Sequence, residues 1–320
     1  MMLAHRAVLM VCWRRSVCAT RMPVFQRSQQ DAVLQDLIAE PVRVVHPLRQ
    51  RVPFVFASPH SGRLYPPSFV EKSRLDATML RRSEDAFVEE LFGSVRELGA
   101  PMLIARFPRA YLDANRAPME LDPTMFEGAL PMAVDRASPR VHAGLGIIPR
   151  VVREGAEIYR ARLPAREAEI RIQQFYRPYH LQLARLVEAT RSTFGMAVVV
   201  DCHSMPSAAA SPDIVVGDRL GLSAACEVTC AVESAFAGQG FAVVRNAPYA
   251  GGHTIHLYGK PGECVHALQI EINRALYLDE ERVERGARFA QVRHAIGEAL
   301  RNLVTLDFPQ SGASTRLAAE

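Results

Sequence analysis

From Val52 onward, short apolar runs alternate with longer amphipathic stretches. Val52–Ser58 (VPFVFAS) reads as a buried strand that ends in Pro-His-Ser-Gly. Further strands are predicted at Met102–Ala105, Met196–Val200, Asp213–Val216, Phe241–Val244 and His266–Ile272, each a short apolar run. Helical spacing covers Asp76–Leu98, with Leu80, Phe87, Val88, Leu91 and Val95 on one face. It recurs over Pro164–Ser192, whose proline suits a first turn, and over Leu222–Phe236 and Glu281–Leu303. Strands alternating with helices predict an α/β fold: a mixed, mostly parallel sheet with helices on both faces. The stretch from Ala117 to Glu154 reads as a long loop or lid region.

The ends of the chain follow a different pattern. Residues 1–30 carry Arg6, Arg14, Arg15, Arg21 and Arg27, with no acidic residue before Asp31. They are read as a leader upstream of a true start at Met22, with a transit or signal peptide as the alternative. Residues 31–305 then form a single α/β domain and 306–320 a C-terminal tail.

Composition narrows the function class. The 320 residues are 49% apolar and 22% charged, with a net charge of +4. Such interspersed charge gives no footprint for nucleic acid. No apolar run approaches the roughly 18 residues of a membrane span. Six cysteines, at 12, 18, 202, 226, 230 and 264, show no metal or disulfide spacing. Reduced thiols and a cytoplasmic location are the expectation.

Three polar residues share one position in this pattern. His60 and His203 each follow a strand, and Glu271 sits near the end of another. Ligand sites in open parallel sheets lie beyond the carboxyl ends of the strands. Two imidazoles and a carboxylate gathered there suit a zinc site with a neighbouring general base. Local zinc motifs are missing, as are a nucleophile elbow and a phosphate loop. His253 and His256 are read as incidental residues of a Gly-rich loop. Arg109, Asn115 and Arg116 form a second group, able to offer a fork of donors to a carboxylate. Asp113 between them reads equally well as the partner of a surface ion pair.

Six segments now carry a resemblance to a family. They are SPHSG at 58–62, SEDAFVEELF from Ser83, RAYLDANR at 109–116, DCHSMPS at 201–207, PYAGGHTI at 248–255 and QIEINRALYLDE at 269–280. In this order and spacing, over roughly residues 50 to 290, the chain resembles the N-formylglutamate amidohydrolases. The resemblance implies a zinc-carboxypeptidase/phosphorylase-hydrolase-like fold, similar to the zinc carboxypeptidases and aspartoacylase-like deacylases, with one Zn2+ per chain. It implies metal ligands at His60, His203 and an early acidic residue, taken as Asp85 with Glu84 as the rival. Glu271 matches the general base and acid, and Arg109 the group that polarises the scissile carbonyl. Asn115 and Arg116 match the grip on a substrate carboxylate; because a dicarboxylate needs at least two cationic clamps, Arg245 or Arg274 is expected to supply another.

The expected reaction is zinc-dependent hydrolysis of N-formyl-L-glutamate to formate and L-glutamate, a step of histidine degradation. The alternatives are hydrolysis of another N-acyl amino acid, or a non-catalytic dicarboxylate-binding protein. The expected partner is thus a small N-acyl amino acid, with no nucleic acid and no membrane. Assembly into a homo-oligomer is left open.

Overall fold

The computed structural model describes residues 31–152, 155–207 and 212–305. The leader at 1–30, the tail at 306–320, Cys12 and Cys18 lie outside the described residues. A seven-stranded sheet organises the rest: β1 (Val42–Val45), β2 (Phe54–Ser58), β3 (Met102–Ala105), β4 (Ala197–Met205), β5 (Ile214–Gly217), β6 (Val243–Arg245) and β7 (Val265–Asn273). The strand order is β1-β3-β2-β4-β7-β5-β6. The four central strands run parallel, β1 is antiparallel to β3, and β5 is antiparallel to β7. The sheet is mixed and mostly parallel, as its apolar runs predict.

Both faces are covered, so the strands are apolar on both sides and divide their residues alternately. Val55, Ala57, Leu103, Ala105, Val199 and Ala267 pack with Tyr179, Leu183 and Val187 of the Arg177–Phe194 helix. Phe54, Phe56, Ile104, Val198, Val200, Leu268 and Ile270 face the opposite core. That core is completed by the Cys226–Ala237 and Phe289–Val304 helices.

Three predicted helices differ in detail. The Asp76–Leu98 stretch forms three short helices, Ala77–Arg81, Val88–Leu91 and Val95–Leu98. Its predicted single face is split, because Leu80 joins one core while Val88, Leu91 and Val95 join the other. The break falls where Phe87 turns into the left-handed region at φ 63° and the Asp85 amide donates to the His60 carbonyl at 3.0 Å. The last helix begins at Phe289, because Glu284–Arg285 pairs with Leu278–Asp279 in a short ladder. The helix predicted over Pro164–Ser192 is a continuous rod from Ala165 to Phe194, interrupted in its period by a π-helical turn at Ile172–Tyr176. The strands β4 and β7 reach further than their apolar runs, carrying polar residues to Met205 and Asn273.

Topology places the site. From β2 the chain first builds β3 on one side and later β4 on the other. This reversal opens a crevice at the carboxyl end of β2, where ligands bind in open α/β sheets. His60 follows β2 directly.

Candidate metal centre and active site

Strand periodicity brings the chemistry to one face. On β4, Asp201 and His203 continue the row of Ala197 and Val199, and on β7 Gln269 and Glu271 continue the row of Ala267. The apolar row becomes polar where it leaves the core. Register sets His203 opposite Glu271 and Asp201 opposite Gln269.

His60, Asp85 and His203 converge, each buried, with one potential ligand atom apiece within 4.8 Å of one another. Nδ1 of His60 lies 3.2 Å and Nδ1 of His203 2.8 Å from Oδ2 of Asp85. The opposite ring nitrogens are held by other carboxylates. Nε2 of His60 is 2.7 Å from Asp113 Oδ1, and Nε2 of His203 is 2.9 Å from Asp201 Oδ2. Imidazoles that bind metal through one nitrogen commonly have the other anchored by a carboxylate. Two imidazoles and a carboxylate form a donor set that fits a divalent ion of the zinc type. The three residues could hold a metal ion, and the charge around them favours one.

That charge is visible in the protonation of the groups. Burial alone would raise the Asp85 carboxyl, but hydrogen bonds from His203 and His60 outweigh it and hold the group well below the usual range. Burial likewise opposes the charged form of His203, yet Asp201, Asp85 and Glu271 raise it well above the usual imidazole value. Glu271 itself is pushed up to about 7, chiefly by burial. Its Oε1 accepts from Gln269 Nε2 at 2.7 Å, and Gln269 Oε1 accepts from the Gly252 amide at 2.7 Å.

Around these groups lies a cavity of about 450 Å³. Its lining includes His60, Asp85, His203, Glu271, Arg109 and Arg116. Glu84 turns away from the cluster, accepting from Tyr65 Oη at 2.8 Å and pairing with Arg81 at 3.2 Å. Of the two rival carboxylates, Asp85 is the one placed between the histidines. Arg109 reaches the cavity while its Nε donates to Asp113 at 3.0 Å. Arg116 also lines it, donating to the carbonyls of Leu145 and Asn115. The segment bearing them is anchored from below by the fully buried Arg171, which donates to the Tyr111 carbonyl and lies 4.0 Å over its ring.

Several sequence expectations change here. Asn115 faces the cavity, but its amide is committed to the protein: Nδ2 donates to Asp201 at 3.1 Å and Oδ1 accepts from the Thr254 amide at 2.7 Å. It braces the carboxylate behind His203, so the reading of Asn115 as a substrate grip is revised. Arg245 is not at the site. It sits on edge strand β6, paired with Glu233 and near the thiols of Cys226 and Cys230. Arg274 does border the cavity, yet it is bound to Asp85 at 2.9 Å and to the Glu84 carbonyl at 2.6 Å, so it steadies the acidic member of the triad. His253 and His256 lie on the His253–Tyr258 helix rather than in a loop. Asp113 is a buried partner of His60, not a surface ion pair.

Asp201 and Gln269 went unread in the sequence. The available signal was their position, two residues before His203 and Glu271 on the same strand faces. Cys202, Cys226, Cys230 and Cys264 are unbridged. No helix among the described residues is long and apolar enough to cross a membrane.

An imidazole–carboxylate donor set at the strand ends of a mixed, mostly parallel sheet defines an α/β protein built around a metal-type site. The family model of the N-formylglutamate amidohydrolases matches residues 52–278. The chain belongs to that family. A crystal structure of N-formylglutamate amidohydrolase from Ralstonia eutropha JMP134 is 34% identical, covers 82% of this chain and 96% of its own, and superposes with a TM-score of 0.76. An N-formylglutamate deformylase of Pseudomonas aeruginosa is 28% identical over 247 residues, 73% of this chain and 85% of the relative. A gene product of Agrobacterium tumefaciens shares the fold at 20% identity and a TM-score of 0.59, covering 83% of this chain and 96% of its own.

Proposed function

We propose that this chain is a metal-dependent amidohydrolase that cleaves N-formyl-L-glutamate to formate and L-glutamate. One observation carries the reading: in a chain of this family, His60, Asp85 and His203 converge beside a cavity, with Glu271 in register next to His203. A zinc-type ion held by these three residues would supply Lewis acidity, polarising the formyl carbonyl and acidifying the attacking water.

The remaining work falls to side chains of this protein. Glu271, poised near neutrality by its burial, takes the proton of the attacking water. It then returns that proton to the amine nitrogen as the C–N bond breaks, releasing formate. Arg109 points a guanidinium into the same cavity and donates to the carbonyl oxygen as negative charge develops there. Asp113 holds His60 and Arg109 together, so the donor set and the oxyanion donor share one anchor. Arg116 offers a guanidinium to a substrate carboxylate.

The test is metal analysis of the purified protein, paired with formate and acetate release from N-formyl and N-acetyl amino acids. About one metal ion per chain and formate release fastest from N-formyl-L-glutamate are expected. A metal-replete protein that cleaves none of the N-formyl compounds overturns the proposal. Preference for an N-acetyl substrate would overturn the assigned substrate while keeping the chemistry.

A further inference from the structure

We infer that Arg82 is the specificity residue that takes the side-chain carboxylate of the substrate, an inference that rests on the function proposed above. Five arginines among the described residues line the cavity, and four have protein partners. Arg109 and Arg116 pair with Asp113 at 3.0 and 3.8 Å, Arg274 with Asp85 at 2.9 Å, and Arg140 reaches Glu120 at 3.9 Å. Arg82 differs. Its guanidinium has no ion pair or hydrogen bond among the described residues, and its Nε is buried without an acceptor. The neighbouring Glu84 is already taken by Arg81 and Tyr65.

A buried donor on a cation is costly to leave unmade, so such a group is expected to find an anion. The cavity wall gives it a defined place. The Arg82 carbonyl accepts from Arg274 Nη1 at 3.3 Å, and the same guanidinium holds Asp85. The Arg82 backbone is therefore fixed to the Asp85 side of the site, and its side chain lines the cavity from there. Arg116 belongs to the Asp113 side, and these two carboxylates are bound to different nitrogens of the His60 ring. A substrate whose amide sits at His60 would meet one guanidinium on each side. The ligand this fits is an N-acyl amino acid with two carboxylates, the α-carboxylate at Arg116 and the distal one at Arg82.

The experiment compares N-formyl-L-glutamate with its uncharged isostere N-formyl-L-glutamine, using wild type, Arg82→Ala and Arg82→Lys in the metal-loaded full chain. Glutarate binding by calorimetry is measured alongside. A charge-assisted contact of this kind is worth about 10- to 100-fold. Arg82→Ala should lose that much kcat/KM on the glutamate substrate, mainly through KM, and change the glutamine substrate less than about twofold. Glutarate affinity should fall in parallel, Arg82→Lys should restore part of both, and metal content should not move. Equal losses on the two substrates, or unchanged glutarate affinity, would overturn the assignment. If wild type cleaves neither substrate but binds glutarate in an Arg82-dependent way, the deformylation reading fails and the anion site stands.

Discussion

Asp113 stands 2.7 Å from Nε2 of His60, at the ring nitrogen that does not face Asp85. The contact fixes the tautomer and the tilt of an imidazole whose Nδ1 is one of the three convergent donors. Asp201 does the same for His203 at 2.9 Å. Removing such an anchor typically costs 10- to 100-fold in metal affinity. Asp113→Ala and Asp201→Ala should each weaken zinc binding by about that factor in a chelator competition. The corresponding Asn variants should recover part of it. Unchanged affinity in all four would mean that the carboxylates serve only packing.

His60→Ala, His203→Ala and Asp85→Ala each remove one donor and should leave the protein without stoichiometric metal and without turnover. Glu84→Ala removes a carboxylate bound to Tyr65 and Arg81 and should keep its metal. Metal analysis of the four proteins checks the assignment. Loss of metal in Glu84→Ala alone would move the acidic ligand by one residue.

Glu271→Gln should bind metal normally and lose at least about a hundredfold in kcat, since the amide cannot accept a proton. The wild-type pH profile carries the same information. Burial raises the carboxyl to about 7, and the base acts only when ionised. Activity should therefore fall tenfold per unit on the acid side of that group. A bound cation favours the carboxylate, so the acid limb should lie at or below pH 7. The limb should vanish in Glu271→Gln, and a variant with nearly normal kcat would assign the proton transfer elsewhere.

Gly252 is required by closeness. A Cβ there would lie 2.4 Å from Nδ2 and 2.6 Å from Oδ1 of Asn115. Asn115 would have to leave Asp201 and the Thr254 amide. Gly252→Ala should lower kcat/KM by about tenfold or more, because small displacements at a reacting centre are expensive. The thermal unfolding midpoint of the variant is measured alongside and should also fall, since displacing Asn115 leaves two buried hydrogen bonds unmade.

Much of this site was legible because strand ends in an α/β sheet announce themselves. VPFVFAS, MAVVV and QIEIN are short and apolar, and each delivers a polar residue at its carboxyl end. Asp85 was harder, because its segment reads as the middle of a helix until the left-handed Phe87 breaks it. Arg245 was misplaced because nothing in the order of residues reveals which way an edge strand turns its side chains. Asp113 and Asp201 were obscured by their neighbours. An aspartate among arginines reads as a surface ion pair, and one at the end of an apolar run reads as a strand terminus. Only the tertiary fold brings Asp113 to His60, whereas Asp201 meets His203 along one face of its own strand.

The strand order has a consequence for how the chain is made. Strands β5 and β6 precede β7 in sequence, yet they join the sheet only through it. As the polypeptide leaves the ribosome, Ile214, Val215 and Val216 emerge with β6 as their sole pairing partner. Their other edge stays open until Val265–Asn273 has been synthesised and inserted beside β4. Unpaired apolar edges of this kind invite pairing between nascent chains. The same insertion delivers Glu271, so the strand that closes this sticky interval also brings in the carboxylate proposed as the base.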